Sequence, residues 1–143
     1  MELRNVIVFS LGASRYAVEL RWVREVVTLG FVTAVPTAPA VLGGVCNLHG
    51  SILPVLDVGA LLDQLAGPPP RQGDGALVLD IEGLICAFRV DQVDHVASLH
   101  ESSATGDANV VDAGGRSLVL LDPAELARRA LELVGVAAER PNA

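Results

Sequence analysis

The chain has 143 residues, of which 51% are hydrophobic and 19% are charged, and its formal net charge is -7. This length suits a single domain, and the hydrophobic fraction supplies enough material for a core. All ten basic residues are arginines and they form no basic stripe, so we expect neither nucleic acid nor an anionic membrane surface as a direct partner.

The chain begins with short apolar runs separated by glycine turns. NVIVFSL, GASR and YAVEL predict a first β-hairpin. The start has no long apolar core followed by a small-residue cleavage site, so no signal peptide is predicted. No apolar run approaches the roughly 20 residues that a membrane-spanning helix needs. We therefore expect a cytoplasmic protein.

A second hairpin and its surroundings repeat the first part of the chain. ALVLDI, EG and LICAFRV predict the second hairpin, and the stretches EVVTL and HVASL follow the two hairpins at equivalent places, with Val23 matching Val93. ILPVLDVGALL and SLVLLDPAELA then match as a strand that ends in Asp and continues into a helix. This pattern predicts an internal repeat, with a second copy that is shorter between its third and fourth elements.

The repeat predicts the organisation of one domain. The predicted parts are subdomain 1 (about 1–66), a linker (67–75), a shortened subdomain 2 (about 76–122), a C-terminal helix (123–135) and a disordered tail (136–143). The linker GPPPRQGDG favours a stiff connection, and a polyproline ligand for an SH3-type partner is the alternative. Asp122, Pro123 and Glu125 have the pattern of a helix start, with a capping side chain, a proline at the first position and a capping-box acid.

Cys46, His49 and Asp57 are the residues closest to a catalytic pattern. Cys46 and His49 are three residues apart on predicted strands, so alternation directs them to opposite faces, and Asp57 has the position of a helix cap. A cysteine-dependent hydrolase using Cys46 and His49 stays open only as an alternative. No metal-ligand spacing or phosphate-binding loop occurs, so no cofactor is expected and a non-catalytic binding module is predicted.

Residues 6–62 resemble the first half of the CheW-like domain. The shared pattern is a hairpin with Gly then Tyr, V-x-E-V, Pro-x-x-P, G-V-x-N-L-R-G and I-x-P-V-x-D before a helix. Residues 76–99 and 117–131 fit the second half more loosely. The resemblance implies a mainly β fold, with two intertwined SH3-like five-stranded β-barrel subdomains, short helices and a C-terminal helix.

The resemblance also implies a function and contact residues. Family members are adaptors that bind the cytoplasmic tip of methyl-accepting chemoreceptors, in the groove between barrels, and couple it to the regulatory domain of a CheA-type histidine kinase. Matched by motif, the receptor-binding positions are Asn47, His49 and Gly50, and the kinase-binding positions are Val23, Glu25 and Gly44. Local explanations stay open: Val23 as core, Glu25 as a solvated charge and the glycines as turn residues.

Two departures from the family pattern affect this expectation. N-L-R-G is N-L-H-G here, so a permanent cation is replaced by His49, and an acidic receptor tip would be held less tightly or under pH control. The polar segment HESSATGDANVV is short, which favours an accessory adaptor that binds receptors but not the kinase. A CheW-like module of another assembly, and self-association through sheet edges, also stay open.

Overall fold

The structure is a computed structural model that describes residues 3–62, 67–100, 109–111 and 117–138. Most of the described chain is extended because β-branched and apolar residues recur in short runs between turns. The elements in chain order are β1 (Leu3–Leu11), β2 (Ser14–Glu19), a 3-10 turn (Leu20–Trp22), β3 (Val23–Thr28), β4 (Val32–Thr33), β5 (Leu42–Leu48), β6 (Ser51–Leu56), α1 (Val58–Leu61), β7 (Gly75–Ile81), β8 (Leu84–Val90), β9 (Gln92–His100), β10 (Asn109–Val111), β11 (Ser117–Leu120) and α2 (Pro123–Ala138).

Two sheets are built by exchange of hairpins between the halves of the chain. The strand orders are β10-β11-β2-β1-β9 and β3-β7-β8-β6-β5-β4. The first hairpin, β1–β2, therefore belongs to the sheet of the second half, and β7–β8 belongs to the sheet of the first half. The predicted mainly β, intertwined fold is confirmed. The second sheet has six strands instead of five because the short β4 joins it, and the predicted boundaries at 66 and 76 divide the repeat but not the sheets.

Apolar side chains fill three clusters, one on the inner face of each sheet and one between the sheets. The cluster of the six-stranded sheet consists of Leu29, Cys46, Leu53, Val55, Ala76, Val78 and Ala87. The largest cluster lies between the sheets, where β1, β2, β7 and β8 pack with α1 and α2. Strands β7 and β8 contribute to both of these clusters, which explains why their sequences are continuously apolar.

Aspartate caps start both helices, as predicted. Asp57 Oδ1 accepts a hydrogen bond from the Ala60 N–H at 2.9 Å, and Asp122 Oδ1 accepts a longer one from the Glu125 N–H at 3.4 Å. Helix α2 continues to Ala138, beyond the predicted end at 135: the helix passes through Gly135 and Val136, which are poor helix formers, and ends in two alanines, which are the best. The rest of the predicted tail, 139–143, lies outside the described residues. No helix in the described part of the chain is long and apolar enough to cross a bilayer.

The linker is fixed against the body of the protein. A Cβ added to Gly43 would come within 2.8 Å of Pro70, so these two residues are in close contact. The Leu29 N–H donates to the Asp74 carbonyl at 2.7 Å, and Arg89 Nε donates to Asp74 Oδ2 at 3.0 Å. Burial opposes ionisation of Asp74, but backbone and arginine hydrogen bonds keep its pKa below the usual range. These contacts support the prediction that the linker is a stiff connection.

Candidate interaction surfaces

The predicted receptor-binding residues form the turn between β5 and β6. His49 and Gly50 are the two-residue loop between Leu48 and Ser51, and both have positive φ, at 51° and 85°. Type I′ hairpin turns require this conformation, which glycine adopts without strain and which histidine adopts more readily than most residues. Asn47 Oδ1 accepts a hydrogen bond from the Gly50 N–H at 3.1 Å. Asn47 and Gly50 therefore hold His49 in an exposed position.

His49 contacts Glu25, so one residue of each predicted set lies in the same place. His49 Nε2 is 3.0 Å from Glu25 Oε1 and 3.4 Å from Oε2. Because β3 is at one end of the strand order and β5 is near the other, this contact requires the sheet to curl. The two side chains are 73% and 36% exposed, which leaves both accessible to a partner. The contact is an ion pair only when His49 is protonated.

The other two predicted kinase-binding residues, Val23 and Gly44, lie away from the exposed surface. Val23 is half-buried and packs against the cluster between the sheets. Gly44 is buried beneath β4, since an added Cβ would lie 2.7 Å from the Thr33 carbonyl oxygen and 2.8 Å from Val32 Cγ1. The close approach of β4 explains why glycine occupies this position. The structure does not bring Val23 and Gly44 to the surface beside Glu25.

Cys46, His49 and Asp57 do not form a catalytic group. Cys46 is buried in the cluster of the six-stranded sheet, and this burial raises the pKa of its thiol. His49 is exposed and contacts Glu25, while the six residues of β6 separate the turn from Asp57 by about 20 Å along the strand. Within the described residues, no group of three or more His, Cys, Asp or Glu side chains could hold a metal ion.

Comparison with known proteins identifies the family. Residues 5–131 match the model of the CheW-like domain. The chain belongs to the CheW-like domain family. It is 30% identical over 98 residues to the chemotaxis protein CheW of Rhizobium meliloti, an alignment that covers 68% of this chain. It is 23% identical over 119 residues to CheW of Treponema pallidum, covering 80% of this chain and 69% of that protein.

A solved structure of the family has the same fold. The scaffolding protein TtCheW of Thermoanaerobacter tengcongensis superposes with a TM-score of 0.70 at 24% identity, covering 85% of this chain and 90% of the other. The chain spans 63% of the length of the Rhizobium meliloti protein and 61% of a similar Rhizobium etli protein. The sequence resemblance to CheW is therefore confirmed at the level of family and fold.

This CheW-like domain also has an exposed surface that the sequence analysis missed, which we call the β4–β6 outer face. Its paired residues are Thr33, Val45, Asn47, Ile52 and Pro54, and Phe31 directly precedes β4. Phe31 is 76% exposed and Ile52 is 65% exposed. The sequence does contain a signal for this face, because no Asp, Glu or Arg occurs between Glu25 and Asp57. A run of that length without charge is unusual on an exposed surface.

A cavity of about 200 Å³ lies between the two sheets, at the opposite end of β6 from the His49 turn. The charged residues that line this cavity already form ion pairs or hydrogen bonds with other groups of the protein. Arg89 Nη2 is 3.2 Å from Asp91 Oδ1, and the Gly12 N–H donates to Asp91 Oδ2 at 2.6 Å. Asp57 Oδ2 accepts a hydrogen bond from the Gly67 N–H at 2.9 Å. The groove between the sheets and the predicted receptor-binding turn are thus separate surfaces of this CheW-like domain.

Proposed function

We propose that this CheW-like domain is a cytoplasmic chemosensory adaptor that binds the tip of methyl-accepting chemoreceptors and couples it to a CheA-type histidine kinase. The observation that carries the proposal is the match to the CheW-like domain over residues 5–131, together with relatives whose names are chemotaxis proteins CheW. Adaptors of this kind act by binding and perform no chemistry of their own. The buried Cys46 thiol, whose pKa is raised, supports this part of the proposal.

The contact between Glu25 and His49 supports the coupling role. A partner that takes either side chain for its own contact must break the 3.0 Å hydrogen bond and release the other side chain. Binding of a kinase domain at Glu25 would in this way change what His49 offers to a receptor, and the reverse change must be equal in free energy. A link of one hydrogen bond is worth about 1 kcal/mol, so we expect modest coupling.

One observation favours a second candidate, an accessory adaptor that binds receptors and not the kinase. The segment between β3 and β5 has 13 residues, 29–41, whereas the corresponding segment between β9 and β10 has eight, 101–108. The segment in question, 101–108, falls outside the described residues. If the second half is one of the kinase contacts, a shortened second half would weaken kinase binding and leave receptor binding unaffected.

Titration of the purified protein against two partners tests the proposal. The partners are a soluble fragment of a chemoreceptor tip and the regulatory domain of CheA from the same genome, followed by calorimetry at pH 6.0 and pH 8.0. Binding of both partners supports the full adaptor, and binding of the receptor fragment alone supports the accessory adaptor. Binding of neither would overturn the proposal.

The variant His49→Arg sharpens this titration. Arginine restores a permanent cation that can still reach Glu25, so receptor binding should become independent of pH between the two conditions. Wild-type protein should bind the acidic receptor tip more tightly at pH 6.0 than at pH 8.0. Equal pH dependence in wild type and His49→Arg would assign the effect to a group other than His49.

A further inference from the structure

In the described residues, the chain passes between the two sheets at two places, and both carry an ion pair. Between β2 and β3 it passes through the 3-10 turn, where Arg21 Nε lies 3.2 Å from Glu19 Oε2. Between β8 and β9 it passes at Asp91, where Arg89 Nη2 lies 3.2 Å from Asp91 Oδ1. The internal repeat matches Glu19 with Arg89 and Arg21 with Asp91, so the two crossings carry the same kind of pair with the charges exchanged.

The second crossing differs from the first in its burial and in its partners. The Arg89 side chain is 16% exposed, whereas the Arg21 side chain is 68% exposed. Arg89 Nε donates to Asp74 Oδ2 at 3.0 Å, so the same guanidinium group also binds the end of the linker. Asp91 Oδ2 accepts the Gly12 N–H at 2.6 Å, and Gly12 lies in the turn between β1 and β2 of the other sheet. One arginine therefore connects the linker, the crossing and, through Asp91, the five-stranded sheet.

These contacts lie beside the cavity between the sheets, because Gly12, Arg89 and Asp91 all line it. Asp74 is fixed on the six-stranded sheet, since its carbonyl accepts the Leu29 N–H at 2.7 Å. A fixed Asp74 holds the Arg89 side chain in one orientation. A wider angle between the sheets would separate Gly12 from Asp91, so these contacts oppose opening of the cavity.

We propose that Arg89 is a positioning residue that fixes the angle between the two sheets. The linker holds Arg89 through Asp74, Arg89 holds Asp91, and Asp91 holds the β1–β2 turn at Gly12. We call these four residues the Arg89 latch. A crossing of a few residues has rotatable backbone bonds and can act as a hinge, so the angle is fixed only by contacts of this kind. This inference goes beyond the proposed function and does not depend on which partner the domain binds.

The charges of the latch make the loss of Arg89 more than the loss of two contacts. Asp74 and Asp91 both lie within 3.2 Å of the same guanidinium group, so removal of the cation leaves two carboxylates close together. Like charges at short range in a partly buried site repel each other. Arg89→Met keeps an unbranched apolar side chain and removes the cation, so it should drive Asp91 away from its place and release the turn at Gly12.

Double electron–electron resonance between one spin label on each sheet measures the angle. The labels are placed with Ile52→Cys on β6 and Val96→Cys on β9, because these side chains are 65% and 59% exposed. The native Cys46 and Cys86 are buried, so the label should select the two introduced positions. In this background we expect one narrow distribution of distances.

Arg89→Met in the labelled protein is the first test, and we expect it to widen the distribution at least twofold. Arg21→Met is the matched control, because it removes the corresponding ion pair at the first crossing and leaves the linker untouched. It should leave the width and the mean distance unchanged. Circular dichroism checks that each variant keeps the β fold.

Two conservative variants test the linker separately. Asp74→Asn removes the charge that holds Arg89 with little change in size, so it should widen the distribution, but less than Arg89→Met does. Arg89→Lys keeps a cation without the planar fork that reaches both carboxylates, so it should give an intermediate width. Because Asp74 acts through Arg89, the combination of Asp74→Asn with Arg89→Met should be no wider than Arg89→Met alone.

The other outcomes decide against the latch. A broad distribution before any of these substitutions, or an unchanged one in Arg89→Met, would overturn the proposal. Equal widening in Arg21→Met and Arg89→Met would mean that both crossings fix the angle alike and that the linker has no part in it. If Arg89→Met does not fold, Asp74→Asn decides, and an unchanged distribution in that variant would equally overturn the role of the linker and of Arg89.

Discussion

The hairpins β5–β6 and β7–β8 have the same local geometry and different surroundings. In each, a two-residue loop has positive φ at both positions, and an Asx side chain accepts the N–H of the loop glycine, at 3.1 Å for Asn47 and Gly50 and at 3.0 Å for Asp80 and Gly83. Local chain geometry therefore does not decide which hairpin is available to a partner.

Position in the sheet makes the difference. Hairpin β7–β8 is packed on both faces, with Leu77, Leu79 and Phe88 in the cluster between the sheets. Hairpin β5–β6 is packed on its inner face, while Asn47 and Ile52 remain exposed on the other. The exchange of hairpins places one element of the second half at the centre of the molecule. The hairpin that stays outside keeps one face exposed.

Each hairpin carries one buried cysteine. The largest expected effect is that these two thiols react much more slowly with an alkylating reagent than an exposed cysteine does. Burial raises the pKa of Cys86 on β8 to about 12 from 9.0, which lowers its thiolate fraction near neutral pH roughly a thousandfold. Burial also raises the pKa of Cys46 on β5. We expect iodoacetamide at pH 7.5 to label Cys86 only through unfolding. Fast labelling of Cys46 would contradict its structural role and favour the hydrolase alternative.

Cys86 should make the free energy of unfolding fall as the pH rises. Because the folded state holds the Cys86 proton more tightly than the unfolded state, the contribution is complete below about pH 9 and is lost as pH rises toward about 12. Cys86→Ala should decline less steeply than wild type across this range in urea unfolding. An identical decline in both proteins would mean that other groups cause the alkaline loss.

Truncation of one large side chain in each hairpin should show the next largest difference. Phe88 is 0% exposed, so Phe88→Ala leaves a cavity and should lower the free energy of unfolding by about 3–5 kcal/mol. Ile52→Ala, on the exposed face of β6, should lower it by less than about 1 kcal/mol. Urea unfolding followed by circular dichroism measures both. Similar losses would mean that the β4–β6 outer face is covered in solution.

Removal of the two Asx side chains should affect stability equally and binding unequally. Asn47→Ala and Asp80→Ala each delete one hydrogen bond to a loop glycine, so each should cost about 0.5–1.5 kcal/mol. Only Asn47→Ala should also weaken binding of the receptor-tip fragment, because Asn47 is a predicted receptor-binding residue and Asp80 is not. If both variants bind the fragment equally well, Asn47 stabilises the turn and does not contact the receptor.

Local patterns predicted the elements of this fold well. The two hairpins follow from apolar runs around short turns, and the caps at Asp57 and Asp122 follow from residue type and position. The exchange of hairpins could be anticipated only from the family resemblance. Alternation shows which face of a strand is apolar, and it does not show which strand pairs with it.

The candidate surface was harder to predict than the fold. Glu25 and His49 are 24 residues apart, and their contact depends on the curl of the six-stranded sheet. Burial of Gly44 depends on β4, a strand of two residues without a clear sequence pattern. The absence of charge between Glu25 and Asp57 was visible in the sequence, but only the strand register shows that Asn47 and Ile52 lie side by side on this surface.

The smallest expected effect compares the strained positions of the two turns. His49 and Glu82 have φ of 51° and 53°, a conformation that costs a residue with a side chain about 1–2 kcal/mol and that asparagine tolerates well. Glu82→Asn should therefore raise the free energy of unfolding by a few tenths to about 1 kcal/mol in urea unfolding.

His49→Asn should gain less, because the same substitution also removes the contact with Glu25. Because histidine adopts positive φ more readily than glutamate does, the gain from His49→Asn is also measured in a Glu25→Ala background, and the difference between the two His49→Asn gains measures what that contact contributes to folding. Equal gains would mean that the contact adds no stability, so that Glu25 and His49 are free to exchange it for contacts with a partner. A smaller gain at His49 would mean that a partner must first offset the contact, which would make coupling between the two predicted sites stronger.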